Sequence, residues 1–370
     1  MKGKIKEISS TADIEIDWGR PMNINRKRMH KLLIVASLIL VPWFSLGAEI
    51  DWAGSKTEYG HPDLQGNWTN PFQTPLERPL NLGMRRAYTK EEANALMDRA
   101  LAVDIERRGP ISPNRLAPKA GSSIGQQADG NFEIMPIELA SINGEYRTSY
   151  IVDPADGRLP YRADALDHDI YGIRRSQGYR RFDGPENLSP LDRCLSATQL
   201  PLLRAFLDVD VDGGGNPGGD NPVRNIQIVQ NQDYVVILSE YFSLVRIIRL
   251  SDNHILEQGR KWMGDSIAYY ENDSLIVHTK NFRPEQSTVF LRSSTQFEIK
   301  ETFTRIAEDE MLFEFTVTDP QIYSQDFTAE MSLKLMPPHL KLYEYACHEG
   351  NYSLPSILRA VRMEEQGLLN

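Results

Sequence analysis

Cysteine is nearly absent from this 370-residue chain, which has only Cys194 and Cys347. Two isolated thiols exclude a Cys-rich zinc module. They also exclude haem attachment at Cys347, because Glu344 stands where the second thiol would be needed. Basic residues are outnumbered, 41 Lys+Arg against 51 Asp+Glu, for a net charge of −10. An acidic body repels phosphate backbones, so nucleic acid is excluded as a partner. Long apolar runs are scarce too. The longest, Leu32–Phe44, is short for a bilayer span. There is no internal repeat, and no Asp-x-x-His follows the Gly264-Asp265-Ser266 triplet.

What is present begins with RKRMHKLLIVASLILVPWFSLGAEI. Arg26, Lys27, Arg28 and Lys31 precede the apolar run, and Ser45-Leu46-Gly47 supplies small residues before Ala48. This is the layout of a secretory signal cleaved after residue 47, and it predicts a periplasmic or secreted protein. The alternative is an uncleaved anchor over residues 32–47, which would be the only membrane contact. The long polar segment before Met29 is unusual for a signal, and translation from Met22 or Met29 explains it. The segment before Ala48 is net basic, so the exported part is more acidic still. In an oxidising compartment the two cysteines pair as one Cys194–Cys347 disulfide.

Past the signal the chain divides into three expected parts: a Pro-rich arm with one helix and a loop over 48–146, a β domain over 147–352, and a closing helix over 353–370. In the arm, Gln65–Thr69 is a short strand candidate. Thr89 with Glu92 forms a capping box, and Ala93, Leu96, Met97, Ala100 and Leu101 follow at helical spacing. Residues 161–182 read as helical in part. The β domain shows period-2 alternation. Phe297, Ile299 and Phe303 oppose Glu298, Lys300 and Thr302; Met311, Phe313, Phe315 and Val317 share a face, as do Phe327, Ala329, Met331, Leu333 and Leu335. Consecutive strands with short turns predict a mainly β fold. The expected form is an antiparallel meander in a barrel-like or strongly curved sheet, with peripheral helices. Ser353 is the expected N-cap of the last helix.

Several stretches taken together (PDLQGNW, TPLERP, RTSYIVDPADGRLP, DGPENLSPLDRC, QIVQNQDYVVILSE and LYEYACHEGNY) resemble a large family of exported bacterial proteins without assigned activity. The resemblance spans nearly the whole exported chain and brings no catalytic residue with it. Separately, Gly66-Asn67-Trp68 resembles the Gly-x-Trp of lipocalin-like barrels, which implies a barrel holding a small, partly apolar ligand.

Candidate chemistry is spread along the chain. His348 and Glu349 adjoin Cys347 and, with Asp265, are the acid–base candidates of a hydrolase reading. His278, Glu314 and Glu344 also sit in strand patterns. Trp68, Glu77, Arg78, Glu314 and Tyr345 are ligand-binding candidates. Arg174, Arg175, Arg180 and Arg181 crowd one segment, where they either grip a carboxylate or sulfate or form surface ion pairs. Asp208, Asp210 and Asp212 copy the first half of a calcium loop, but its twelfth position is Gly219, so calcium is only a partial fit and no other cofactor is indicated. Three functions are therefore carried forward: a binder of a small ligand, an enzyme on the same scaffold, and an envelope assembly module.

Overall fold

A computed structural model describes residues 54–72, 74–107, 114, 138–196, 225–255, 259–288 and 291–368. All belong to one unit, Ala48–Asn370. The incomplete calcium loop at Asp208, Asp210 and Asp212, most of the 108–130 loop and the N-terminal 47 residues lie outside the described residues.

The strands in chain order are β1 (Gly66–Thr69), β2 (Ala87–Tyr88), β3 (Ser141–Ile142), β4 (Glu145–Arg147), β5 (Ile151–Asp153), β6 (Asn225–Gln230), β7 (Tyr234–Ser239), β8 (Leu244–Leu250), β9 (Asp265–Glu271), β10 (Ser274–Lys280), β11 (Glu298–Arg305), β12 (Glu310–Thr318) and β13 (Phe327–Leu335). The helices are α1 (Lys90–Arg107), α2 (Ala165–His168), α3 (Ile170–Ser176), α4 (Cys347–Gly350) and α5 (Ser353–Glu365).

β6 to β13 pair in sequence order, and β1 pairs with both β6 and β13, so nine strands close into a barrel. Closure removes the exposed edges that an open sheet would present. β5 adds onto β13 beside β1, with a register shift at Thr328/Ala329. β2, β4 and β3 form a small separate sheet. The barrel departs from a pure meander at one place. β8 and β9 run parallel, with Ile248 opposite Ser266 and Leu250 opposite Ala268. A parallel neighbour needs a crossover rather than a tight turn, and residues 251–264 supply it.

The closing strand depends on Gly66, whose φ is +140° and whose absent Cβ would lie 2.9 Å from Leu335 Cδ1. A side chain there would be strained by the positive φ and would have to displace the end of the Leu335 side chain. Two residues later Trp68 points inward, fully buried, and its Nε1–H donates to the Leu64 carbonyl at 2.9 Å. Around it the alternation expected from the sequence holds. Phe303, Met311, Phe313, Phe315, Phe327, Met331 and Leu333 share one core with Ile226, Ile228, Val235, Ile248 and Val277. These side chains line the interior.

Two inward barrel positions carry buried charges. Glu301 stands opposite Val277 and Phe315, and Arg246 opposite Ile237, so period-2 parity sends both into the core. Arg246 meets the Glu301 carboxylate with two parallel bonds of 2.9 and 2.6 Å. The Thr279 and Ser266 hydroxyls accept from it at 3.0 and 3.3 Å. Ser266, the serine of the Gly-Asp-Ser triplet, is therefore part of the barrel interior.

The helices differ from expectation in detail. The capping box at α1 forms: Thr89 N–H donates to Glu92 Oε2 at 2.9 Å and Glu92 N–H to Thr89 Oγ1 at 3.2 Å. Of the spaced apolar positions, however, only Ala93 is fully buried, and Leu101 is exposed. At α5 the capping oxygen comes from Asn351, whose Oδ1 accepts from Leu354 N–H at 3.2 Å, rather than from Ser353, which begins the helix. The Cys194–Cys347 disulfide is present, joining Cα atoms 5.6 Å apart across 153 positions. Among the described residues no helix is long and apolar enough to cross a membrane.

Candidate functional site

The first concentration of charge sits outside the barrel wall, around α3. Asp169 caps this helix, accepting from the Tyr171 and Gly172 N–H groups at 2.9 Å each. One turn on, Arg174 and Arg175 leave the helix. The chain then turns at Gly178, and Arg180 is fixed by Asp183, which accepts from its backbone N–H at 2.7 Å and from its Nε at 2.9 Å. Arg181 donates to Asp192 at 3.1 Å, and Asp192 is itself held by Ser189 Oγ at 2.9 Å. Arg292 enters from the loop before β11 and approaches Asp169 at 3.6 Å. These five arginines, with Tyr171 and Tyr179, line a cavity of about 450 Å³.

The lining carries five guanidinium groups against the carboxylates of Asp169 and Asp192. Arg174 donates to the Glu186 carbonyl and approaches Glu285 at 3.6 Å, and Arg180 approaches Glu365 at 3.7 Å, both ion pairs longer than hydrogen bonds. Arg175 is exposed and pairs with no acid among the described residues. A guanidinium offers several N–H donors in a fixed fork, so much of the donor capacity here is uncommitted. Burial pushes the Tyr171 phenol up to about 12. Its hydroxyl donates toward the Leu188 and Glu285 carbonyls, at 3.2 and 2.9 Å.

The second concentration lies on the outer wall of the barrel, where β9, β10 and β11 begin or end. Gly264 has φ +66°, and a Cβ would lie 2.8 Å from the Lys280 carbonyl, so the chain turns tightly into Asp265. Asp265 is buried. Arg249 holds it bidentately at 2.7 and 3.0 Å, and Ile255 N–H donates to it at 3.0 Å. His254 Nδ1 adds a fourth bond at 3.0 Å. Burial alone would raise this carboxyl, but Arg249, Ile255 N–H and His254 outweigh it and hold the group well below the usual carboxylate range. The chain continues outward. His254 Nε2 lies 3.1 Å from His278 Nδ1, and His278 Nε2 lies 3.0 Å from Glu298 Oε2.

The partners fix the hydrogen positions. Asp265 accepts, so His254 carries its proton on Nδ1 and accepts at Nε2. His278 Nδ1–H must then donate inward to His254. His278 Nε2 in turn faces the Glu298 carboxyl. Burial lowers the His254 pKa, consistent with that ring being the neutral one.

Most other sequence candidates stand apart from both places. Arg78 is fully buried and bonds Thr148 Oγ1 and the Ala155 carbonyl at 2.9 and 2.7 Å, tying loops together. Glu77 accepts from Leu159 N–H at 2.9 Å and pairs with Arg158. Trp68 is a core side chain with the Arg305 guanidinium over its ring at 5.4 Å. Glu314 lies on the outer wall opposite Glu330; burial and that neighbouring carboxylate raise its pKa. His348 and Glu349 are exposed on the single turn of α4, and Glu344 is exposed just before it. None of these three meets Asp265.

Tyr345 packs against Tyr241 and Phe242, with ring centroids 4.9 and 5.1 Å apart, and lines a second cavity of about 510 Å³ beside the disulfide. The arginine segment was legible from composition, and Asp265 and His278 from strand patterns. Arg292, Arg249, His254 and Glu298 were not singled out, because each reaches its partners across residues distant in sequence. No family model matches this chain, no curated protein matches it, and no solved structure matches it.

Proposed function

We propose that this chain is an exported binding protein for a small organic anion, held in the arginine-lined cavity beside α3. The observation that carries the reading is the surplus of guanidinium groups there, with Arg175 unpaired among the described residues. Arginine forks match carboxylate, sulfate and phosphate oxygens bidentately, and Tyr171 and Tyr179 offer ring surface to an apolar body. The apolar lining of the barrel interior favours a site for a charged ligand outside the wall. Export rests on the basic, apolar and small-residue pattern over 26–48.

Titration calorimetry with benzoate, sulfate and inorganic phosphate tests the site. Saturable one-to-one binding is expected, weakened at least tenfold by Arg174→Ala with Arg175→Ala, a loss of about 1.5–3 kcal/mol for bonds to a charged group. Absence of saturable binding by every anion overturns the reading. N-terminal sequencing of protein from the periplasmic fraction tests export, with Ala48 the expected first residue.

A second reading, an acid–base enzyme, is favoured by the Asp265–His254–His278–Glu298 chain, whose outer end is open to solvent. Turnover of model esters that disappears in His278→Gln would support it. Equal turnover in that variant would remove it.

A further inference from the structure

Asn187 stands on the wall of the arginine cavity and is 8% exposed. Neither Oδ1 nor Nδ2 of its amide has a hydrogen-bond partner among the described residues, and neither is open to solvent. Its neighbours on the wall differ. Asp169, Asp192, Ser189, Ser287 and Tyr171 all hold hydrogen bonds within the protein. A buried amide without a partner is uncommon, because it has given up water and gained nothing in exchange. Packing alone does not call for it, since leucine has nearly the same shape. The backbone around Asn187 is also fixed. Its N–H donates to the Gly184 carbonyl at 3.1 Å. On either side, Arg174 donates to the Glu186 carbonyl and the Tyr171 hydroxyl to the Leu188 carbonyl, the latter at 3.2 Å. Two side chains of α3 that line the cavity therefore hold Asn187 beside Arg174.

Resting on the anion-binding reading above, we propose that the ligand is a carboxylate that also carries a primary carboxamide, and that Asn187 selects it. The carboxylate takes the guanidinium forks of Arg174 and Arg175. The carboxamide meets Asn187 edge to edge. An asparagine amide offers an acceptor and a donor on one edge. The complementary edge is a second carbonyl and N–H held side by side, which gives two parallel hydrogen bonds. A ketone answers only one of the two atoms. A secondary amide in its trans form turns its N–H and C=O to opposite sides, so it too answers only one. The χ2 torsion of asparagine is broad, so the amide plane turns toward an entering ligand at little cost. A site built around such a group rejects ligands that lack the matching one, because the amide is then left buried and unpaired.

The test is calorimetry with three carboxylates of nearly one shape: succinamate, levulinate and 4-methylpentanoate. They end in a primary amide, a methyl ketone and an isopropyl group. They therefore present a donor with an acceptor, an acceptor alone, and neither. Benzoate and sulfate report on the anion site. Succinamate is expected to bind at least tenfold more tightly than 4-methylpentanoate, despite the larger apolar surface of the latter, with levulinate between them. Asn187→Leu keeps the shape and removes both polar atoms. It is expected to bring the three affinities within about twofold of one another without lowering the melting temperature, since an apolar replacement leaves no buried group unpaired. A purely structural amide gives the opposite pair of results, a lower melting temperature and an unchanged order of affinities, and that outcome overturns the proposal. The series in the unaltered protein decides even where the variant does not fold. Equal affinities or the reverse order, with benzoate or sulfate still binding, remove the carboxamide and leave the anion site standing. If benzoate, sulfate and all three carboxylates fail to bind, the anion-binding reading itself fails, and this inference with it.

Discussion

His254 and Asp265 are joined at 3.0 Å between Nδ1 and Oδ2, on a carboxylate already gripped by the Arg249 fork. The crossover residue His254 is thereby pinned to the first residue of β9, the strand that the crossover must deliver parallel to β8. Both groups have folded pKa values below their ordinary ones, so their linkage has the same sign and both destabilise the fold in acid. Asp265 has a depressed folded pKa, so its stabilisation is present above the ordinary aspartate range and is lost as the pH falls below about 4. His254 also has a depressed folded pKa. The unfolded ring takes up a proton below about pH 6.5 that the folded ring resists, so stability declines as the pH drops through that range. Melting temperature measured from pH 7.5 to 5 should fall. The decline should be shallower in His254→Phe, where the ring can no longer titrate. An identical slope in both proteins would sink the assignment.

Glu314 faces Glu330 across β12 and β13, and Glu330 already serves Arg147 at 2.6 Å. A carboxyl with a raised folded pKa opposes folding once ionised. Glu314→Gln should therefore stabilise the protein at pH 7 by about 0.5 kcal/mol, the scale of a like-charge pair on one sheet face. The gain should vanish below the ordinary glutamate range, where both forms are neutral. Urea denaturation of both proteins at pH 7 and pH 4 measures it.

Glu301 and Arg246 are nearly inaccessible to solvent, at 1% and 7% side-chain exposure. Glu301→Ala would leave a guanidinium in the core without its partner, and it should cost about 3–5 kcal/mol. Replacing the pair together, as Arg246→Met with Glu301→Leu, should cost far less, because both charges then leave the interior. Chemical denaturation of the two variants compares them. A double variant as unstable as the single one would show that the pair contributes more than mutual neutralisation.

The disulfide closes 153 positions, and restricting so long a loop stabilises by roughly 4–5 kcal/mol in the chain-entropy model. Thermal unfolding with and without reductant should separate clearly. Intact mass should be two hydrogens below the dithiol form in protein from the periplasm. Thiols open to alkylation in that preparation would contradict the pairing.

Much of the barrel was legible because alternation is a local property. Phe313, Phe315 and Val317 occupy every second position of β12, and a pleated strand sends such positions to one face whatever the rest of the chain does. The same parity, followed strictly, also sends Glu301 inward between Ile299 and Phe303, and the charge is no obstacle because Arg246 arrives from the opposite wall. The α1 capping box was legible for the same local reason, since Thr89 and Glu92 need only each other. The Asn351 cap at α5 was not, because Asn351 is oriented by the Asp192 carbonyl far away in sequence.

By itself the sequence determined the strands, their buried faces, the Cys194–Cys347 bond and the acidic net charge. These follow from short-range periodicity, from there being two cysteines to pair, and from the count of charged residues. Tertiary structure decided everything that needs two distant segments to meet. It brought β1 from the arm to close the barrel. It ran β9 parallel to β8, placed His254 between Asp265 and His278, and set the arginine cavity beside the one at the disulfide. Contacts of this kind depend on register and closure, which composition and spacing along one strand do not encode.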